Sequence, residues 1–456
     1  MNRRTALALR ALNRFGLGAR PGQARGLADP RGWLVEQLDP SSAALEPTTD
    51  VAPMADRAEV LERQRRARRA KDEEALAESR RELRQFVTTD VQRTITRRTT
   101  TETPYLERLV AFWSNHLCIS RFKPLVGPLA GPYENDAIRP HVLGRFEDMV
   151  LASARHPAML LYLDNAQSVG PGSIAATRGR QDRARRGLNE NYARELLELH
   201  TLGVGGGYTQ EDVKELAHIL TGWSVSGLGP FAREGGEIAF AFRQPIHDPN
   251  ERSVLGRSFS QAGVEQGEAA IRTLCRHPAT ARFLSSKLVR HFVADDPPPE
   301  AVARIATVFL DTQGDLAEVA RSLAQLEEAW APDERKFRTP QDWLIAALRA
   351  LEVDEPPVGV TQRLTPLRQP LWGPPSPKGF GDTLREWADP DGLMNRAEFA
   401  QSIAKRFRRN TEDPGALAEV VEYDPGGALT TTLSDAQVQK HDRVALALAG
   451  PAFQWR

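Results

Sequence analysis

The sequence predicts a mainly α-helical protein: a single large helical domain with a small antiparallel β-hairpin insertion at about 236–257. Three observations predict it. Apolar and aromatic residues recur at helical spacing along most of the chain, one short window alternates as a strand does, and several helix ends carry recognisable caps. With 456 residues, 41 % of them apolar, the chain can bury a sizeable core.

Residues 5–45 read as short helices around the loop Gly16-Leu17-Gly18-Ala19-Arg20-Pro21-Gly22. The loop's glycine spacing is wrong for a dinucleotide fingerprint, and a helical pattern stands where a strand is required. Residues 55–99 form a charged helical stretch with Glu59, Glu62, Arg66 and Arg69 at helical spacings. Its basic cluster, Arg63, Arg65, Arg66, Arg68 and Arg69, is followed by Asp72, Glu73 and Glu74, so a solvated face of i,i+4 pairs is the better reading than a nucleic-acid contact. From 104 to 165 the pattern is that of core helices: Leu106, Leu109, Val110 and Trp113, then Phe146, Met149, Val150 and Leu160. A Gly-, Ser- and Arg-rich stretch, 170–187, lacks any apolar period and is expected to be a mobile loop.

Two well-marked helices follow. The first spans Asn189 to Leu202 and ends at Gly203, a natural residue just past a helix. The second opens with Thr209 as N-cap and Asp212 three residues on, with Tyr208 and Val213 as a hydrophobic staple, and stops near Gly222. Ile238, Phe240 and Phe242 alternate with alanines as a strand, and a partner strand is expected around Val254-Leu255. Residues 262–353 return to helix. Residues 354–395 are rich in Pro and Gly, with Trp372 packing an extended run from Gln369 to Pro375. A last helix covers about 396–408, and residues 411–456 read as a C-terminal extension to a domain of about 1–410.

Several of these stretches, taken together, are specific. They include Leu12-Asn13-Arg14-Phe15-Gly16, Phe112-Trp113-Ser114-Asn115-His116, His156-Pro157-Ala158-Met159-Leu160, and the long run from Asn189 to Gly203. Tyr208-Thr209-Gln210-Glu211-Asp212-Val213, His247-Asp248-Pro249 and His277-Pro278-Ala279-Thr280-Ala281 continue the series. In this order, over roughly residues 8–410, the chain closely resembles the bacterial family known as domain of unknown function eighteen-hundred. The resemblance implies one large, mostly helical unit, often exported, and often encoded beside a family that resembles sulfatases; it implies no reaction and no cofactor. Two departures stand out: Ser114 occupies a position where many members have His, which weakens any metal site built on that motif, and no export signal is evident.

Composition excludes some functions. Lys plus Arg and Asp plus Glu are equal at 60 each, which argues against bulk nucleic acid or an anionic membrane as the main partner. No apolar run is long enough to span a bilayer. Arg3-Arg4 precedes Ala6-Leu7-Ala8-Leu9, but Arg10 cuts the apolar stretch at once, so a cytoplasmic protein is expected. Cys118 and Cys275, the only cysteines, are far apart and read as core residues.

Phosphate-loop, zinc-protease and nucleophile-elbow motifs are absent. Polar residues concentrate instead on the two neighbouring helices. Asn191, Glu195 and Glu198 share one stripe; Glu211, Glu215 and His218 share another, and Glu215-x-x-His218 has the i,i+3 spacing of carboxylate-bridged metal sites in helical bundles. Glu195 and Glu198, with His247 and Asp248 at a turn, are the candidate catalytic groups. Glu215, His218, His200 and His116 are the candidate ligands of a divalent metal. The same residue types also suit a buried carboxylate–arginine network, and that structural reading is favoured. His200 near a helix C-terminus also suits capping, and His116 a hydrogen-bonded core position. Asn189, Asn191, Arg194 and the loop arginines Arg183, Arg185 and Arg186 are candidates for holding an anionic substrate. Two readings therefore stand: a hydrolase or lyase acting on a polar or anionic polymer, or a non-catalytic scaffold for a sulfatase-like partner. Convergence of these side chains on an open pocket favours the first; mutual burial and pairing favour the second.

Overall fold

The computed structural model describes residues 2–44, 52–178, 187–228 and 237–456. It is mainly helical, with two small antiparallel sheets of two strands each. No helix among the described residues is long and apolar enough to cross a membrane.

The charged stretch forms two helices, α1 (Met54–Ala70) and α2 (Glu73–Thr100), that pack on one another. The break has a local cause. Lys71 adopts a left-handed φ of 57°, and Asp72 restarts the chain by accepting a hydrogen bond from Ala75 N. Glu62 accepts from Arg65 at 2.7 Å and Arg66 at 3.3 Å, the pairing that the interleaved charges predict.

The centre is built on α3 (Pro104–His116), almost wholly buried, and on α4 (Pro278–Phe292) and α5 (Pro340–Ala350). Phe15, Tyr105, Phe292 and Trp330 form an aromatic knot with ring centroids 5.5–5.8 Å apart. Pro104, Pro278 and Pro340 each stand at the first turn, where a missing N–H costs nothing. Residues after 410 pack into the same body: helix α6 (Lys440–Ala449) lies on helix Pro390–Arg406, Trp455 bridges Phe337, and the buried Arg456 guanidinium reaches Asp342 at 3.1 Å.

The strands are β1 (Trp223–Val225), β2 (Phe240–Phe242), β3 (Arg252–Val254) and β4 (Arg257–Phe259). The alternating run at Phe240 pairs with β1 and not, as expected, with the segment near Val254. That segment closes its own tight hairpin with β4, because Leu255 and Gly256 both take positive φ, the geometry of a two-residue turn. The partner β1 is only three residues long and directly follows Gly222, too short to show an alternation.

The helix expected at Asn189–Leu202 begins as Asn191–Glu195 and widens into a π-helical turn at Leu196–His200. Two further π-helical turns lie at Ala11–Phe15 and Glu134–Ile138. The capping box at Thr209 and Asp212 is present, and the helix it opens runs Gln210–Ile219.

Candidate functional site

The two polar stripes part company in the structure. On the second helix, Glu215 accepts from Arg252 Nη1 at 3.0 Å and from Ser253 N at 3.2 Å. His218 Nδ1 meets Asp248 Oδ2 at 2.9 Å, and Arg252 Nη2 meets the same oxygen at 2.9 Å. Asp248 also accepts from Asn250 Nδ2 and Gly172 N, and its own N–H donates to Thr221 Oγ1. Burial alone would raise the Asp248 carboxyl; Arg252, Asn250 and His218 hold it down at about 2. His247 turns away from Asp248, with Nδ1 2.8 Å from Thr221 O, and burial lowers its pKa. This network pairs each of these carboxylates and ties the helix to the β3–β4 hairpin, with Arg252 Nε alone of the guanidinium nitrogens left buried without a partner. Among the described residues no group of three or more His, Cys, Asp and Glu side chains is placed to hold a metal ion.

Asn189 and Asn191 are committed to backbone: Asn189 Nδ2 donates to Asp164 O at 3.1 Å and Asn191 Nδ2 to Leu163 O at 3.3 Å. Arg194 bonds Glu190 and Gln210. Arg183, Arg185 and Arg186 lie outside the described residues. The carboxylates of the first stripe differ. Glu198 keeps one long bond, from Tyr208 Oη at 3.3 Å, and lines a cavity; Glu195 has no hydrogen-bond or ion-pair partner among the described residues. Burial raises the Glu195 carboxyl, and the neighbouring Glu198 charge raises it further.

That cavity, about 560 Å³, is bounded by the end of α3, one face of α4, and residues 369–386 of the Pro/Gly-rich segment. Two of the π-helical turns border it: Glu134 begins one, and Glu198 and Leu199 lie in the other; Leu17, two residues past the turn at Ala11–Phe15, also lines it. Such turns gather at functional sites. Two of the stretches behind the family resemblance meet here, since Phe112, Ser114 and Asn115 form one wall and Glu198 and Leu199 another.

The walls are highly ordered by polar contacts. Asn115 clamps the backbone of Phe380 from both sides, accepting its N–H at 2.8 Å and donating to its carbonyl at 2.9 Å. Gly379, at φ 83°, lies against Asn115, where a Cβ would come within 2.5 Å of the Asn115 carbonyl oxygen. Glu134, fully buried, accepts from Arg98 at 3.0 Å and from Trp372 Nε1 at 2.8 Å. Burial opposes its ionisation, but Arg98, Trp372 and the Ser114 hydroxyl hold its pKa low. Trp372 makes this contact from a left-handed φ of 52°, a conformation that costs a bulky residue free energy.

Two groups on α4, one turn apart, face the cavity. His291 Nδ1 lies 2.7 Å from Asp382 Oδ2, and its Nε2 is buried without a partner at the cavity wall. Burial lowers the His291 pKa, with Asp382 opposing, so the ring is neutral near pH 7; the Asp382 contact then places the proton on Nδ1 and leaves Nε2 as an acceptor. Asp382 is held at about 2, burial being outweighed by His291, Lys336 and Arg456. Lys287 is 2.9 Å from His116 Nδ1, and no carboxylate lies within ion-pair distance of Lys287, Arg290 or Lys378 among the described residues. The cations that pair, Arg98 with Glu134 and Arg108 with Asp342, are accounted for; these three are surplus positive charge.

His116 and His200 stand behind this wall. Their rings are 6.5 Å apart, and His116 Nε2 meets the His200 carbonyl oxygen at 3.1 Å. Lys287 occupies the remaining nitrogen of His116, the position a metal would need. Burial lowers both imidazoles, His200 to about 3. Cys118, also at the wall, is pushed up by burial to about 12 and stays a thiol.

Sequence reasoning found Glu198 but missed His291, Asp382, Lys287, Arg290 and Lys378. The i,i+4 pair Lys287 and His291 on an apolar helix was the available signal. Asp382, 91 residues further on in an irregular segment, offers no spacing that could link it.

No curated protein and no solved structure matches the chain. The profile of the family described as protein of unknown function DUF1800 matches residues 10–455. That span is nearly the whole chain and takes in every wall of the cavity, so the protein belongs to the DUF1800 family.

Proposed function

We propose that the protein is an enzyme that binds an anionic ligand in the cavity and transfers a proton through His291. The observation that carries this reading is the His291–Asp382 pair. A carboxylate fixes one ring nitrogen while the other is buried without a partner at the wall of an open cavity, beside cations that have no carboxylate partner among the described residues. Neutral His291 accepts a proton at Nε2, and the imidazolium so formed is stabilised by Asp382. Arg290 and Lys378 attract and hold the anionic group of the ligand. Glu198, which lines the cavity, supplies a second acid–base group, and Glu195, one turn before it with its carboxyl raised by burial and by the Glu198 charge, stands behind it. Hydrolysis or elimination on a carboxylated or sulfated polymer fits this set, the chain end entering the cavity.

The test is turnover of defined anionic oligomers, oligogalacturonate and heparin fragments, followed by chromatography and by absorbance of unsaturated products. Wild type should act on at least one of them, and His291→Gln should lower kcat by 100-fold or more with little change in Tm. A substrate turned over equally well by His291→Gln and Asp382→Asn would refute the assignment.

A second reading, a helical scaffold for a sulfatase-like partner, is favoured by the other cluster. Glu215, His218, Asp248 and Arg252 are mutually paired, as a structural network requires. Under that reading His291→Gln changes nothing measurable, and binding to the partner is the activity to assay.

A further inference from the structure

Lys287 is held in a way that fits covalent chemistry better than charge. His116 Nε2 faces the carbonyl oxygen of His200 at 3.1 Å, so that nitrogen carries the ring proton. His116 Nδ1 is then a lone pair, and Lys287 Nζ donates to it at 2.9 Å. An imidazole lone pair thus orients this lysine where a carboxylate would ordinarily do so. The Phe283 ring flanks it 5.6 Å away, and its near charged neighbours include the cations Arg290 and Lys378. Four lysines of the chain have carboxylate partners: Lys123, Lys214, Lys336 and Lys440. Of the four with none among the described residues, Lys71, Lys378 and Lys405 are exposed and Lys287 alone is half-buried. The chain uses lysine sparingly, eight among its 60 Lys and Arg residues, so the choice of an amine over a guanidinium here is not a composition effect.

We propose that Lys287 is a carbonyl-reactive amine that forms a Schiff base with an aldehyde or ketone bearing an anionic group. The inference rests on the anionic-cavity reading, since Arg290 and Lys378 would hold the ligand's charge while its carbonyl meets Nζ. The neutral amine adds to the carbonyl carbon, forming C–N as the C=O π bond opens. The two amine protons leave with the carbonyl oxygen as water, and a C=N bond remains; no oxidant or reductant is consumed. His291, one helical turn away, is placed to pass protons to and from that oxygen. Burial, reinforced by Arg290 and Lys378, brings the Lys287 ammonium down to about 8 against the opposing Asp382 charge. Near pH 7 its neutral fraction is therefore on the order of 100-fold that of an ordinary lysine.

The test uses glyoxylate, the smallest anionic aldehyde, with cyanoborohydride at pH 7. The reduced adducts are located by peptide mass mapping, and binding of oxalate and citrate is measured in parallel by calorimetry. Lys287 should be carboxymethylated at least ten-fold faster than any other lysine, oxalate or citrate should slow it, and Lys287→Arg should remove the fast phase while keeping the fold. Labelling that follows exposure, with Lys71 and Lys405 ahead of Lys287, overturns the proposal. Anion binding without Lys287 labelling overturns it too and leaves the anionic cavity standing. Fast labelling without anion binding supports the amine and removes the anion reading, and neither signal removes both.

Discussion

A lysine half-buried beside two other cations works against the fold, and the size of that effect is measurable. The folded-state pKa of Lys287, about 8, lies below the ordinary value of about 10.5, so between those limits the unfolded chain binds more protons than the native one. Its contribution to stability is therefore full above 10.5 and is lost as pH falls toward 8. At pH 7 the protein carries the whole penalty. Lys287→Met, which fills similar volume without charge, should raise Tm by about 1–3 °C at pH 7, and the gain should shrink as pH approaches 10. Calorimetric scans of both proteins across that range test it; an unchanged or lower Tm at pH 7 would mean the lysine is not desolvated. At this scale the sequence was partly legible. The carboxylate stripe on the Asn189 helix pointed to Glu198, which does line the cavity. Glu215 and His218 had a spacing that suits a metal, yet Arg252 and Asp248 reach them from a hairpin that no spacing rule connects to that helix.

Among elements, the segment 378–382 has the most to do with the site, since it carries Lys378 and Asp382 without any regular structure of its own. Two anchors fix it, the Asn115 clamp on Phe380 and the close approach of Gly379 to Asn115. Gly379→Ala adds a methyl at positive φ, 2.5 Å from a carbonyl oxygen, and should cost about 1–3 kcal/mol while shifting Asp382 away from His291. Asn115→Ala leaves two backbone groups of Phe380 without partners and should cost a similar amount. Denaturant melts measure the cost, and NMR of the His291 ring reports the loss of its Asp382 bond; a normal ring signal in both variants would sink the anchoring role. Helices were legible where caps mark them, as at Thr209. They were less so where a single residue breaks a charged run, as at Lys71, because a left-handed lysine has no sequence signature. The widening of the Asn191 helix at Leu196–His200 was likewise invisible, since the apolar period continues through it.

For the molecule as a whole, the helical class and the extent of the core follow from apolar periodicity that runs through most of the chain. The burial of nearly neutralised histidines does not, because it depends on what packs around each ring. His116, His156, His200 and His291 all have pKa values lowered by burial, His156 and His200 to about 3. The sign is common to the four. His156 and His200 stay neutral in the fold while the unfolded chain takes up a proton near 6.5, so the stability they give above pH 6.5 is lost as pH falls below it, and the lowered His116 and His291 act with the same sign. Every such ring removes about 1.4 kcal/mol per pH unit while it remains unprotonated in the fold. Asp248 and Asp382, both held at about 2, add losses of the same sign only below about 4. Stability should therefore be flat near neutrality and fall steeply between pH 6.5 and 4.5, well before the carboxylates titrate. His156 makes the sharpest test, because it caps the helix Pro157–Tyr162 by accepting from Ala158 N and touches neither the cavity nor the network at Asp248. His156→Asn keeps a capping oxygen and removes one titration, so its melts should lie below wild type at pH 7.5 and close on it as the pH is lowered to 5. Parallel curves over that range would show that His156 carries its proton in the fold as it does in the unfolded chain.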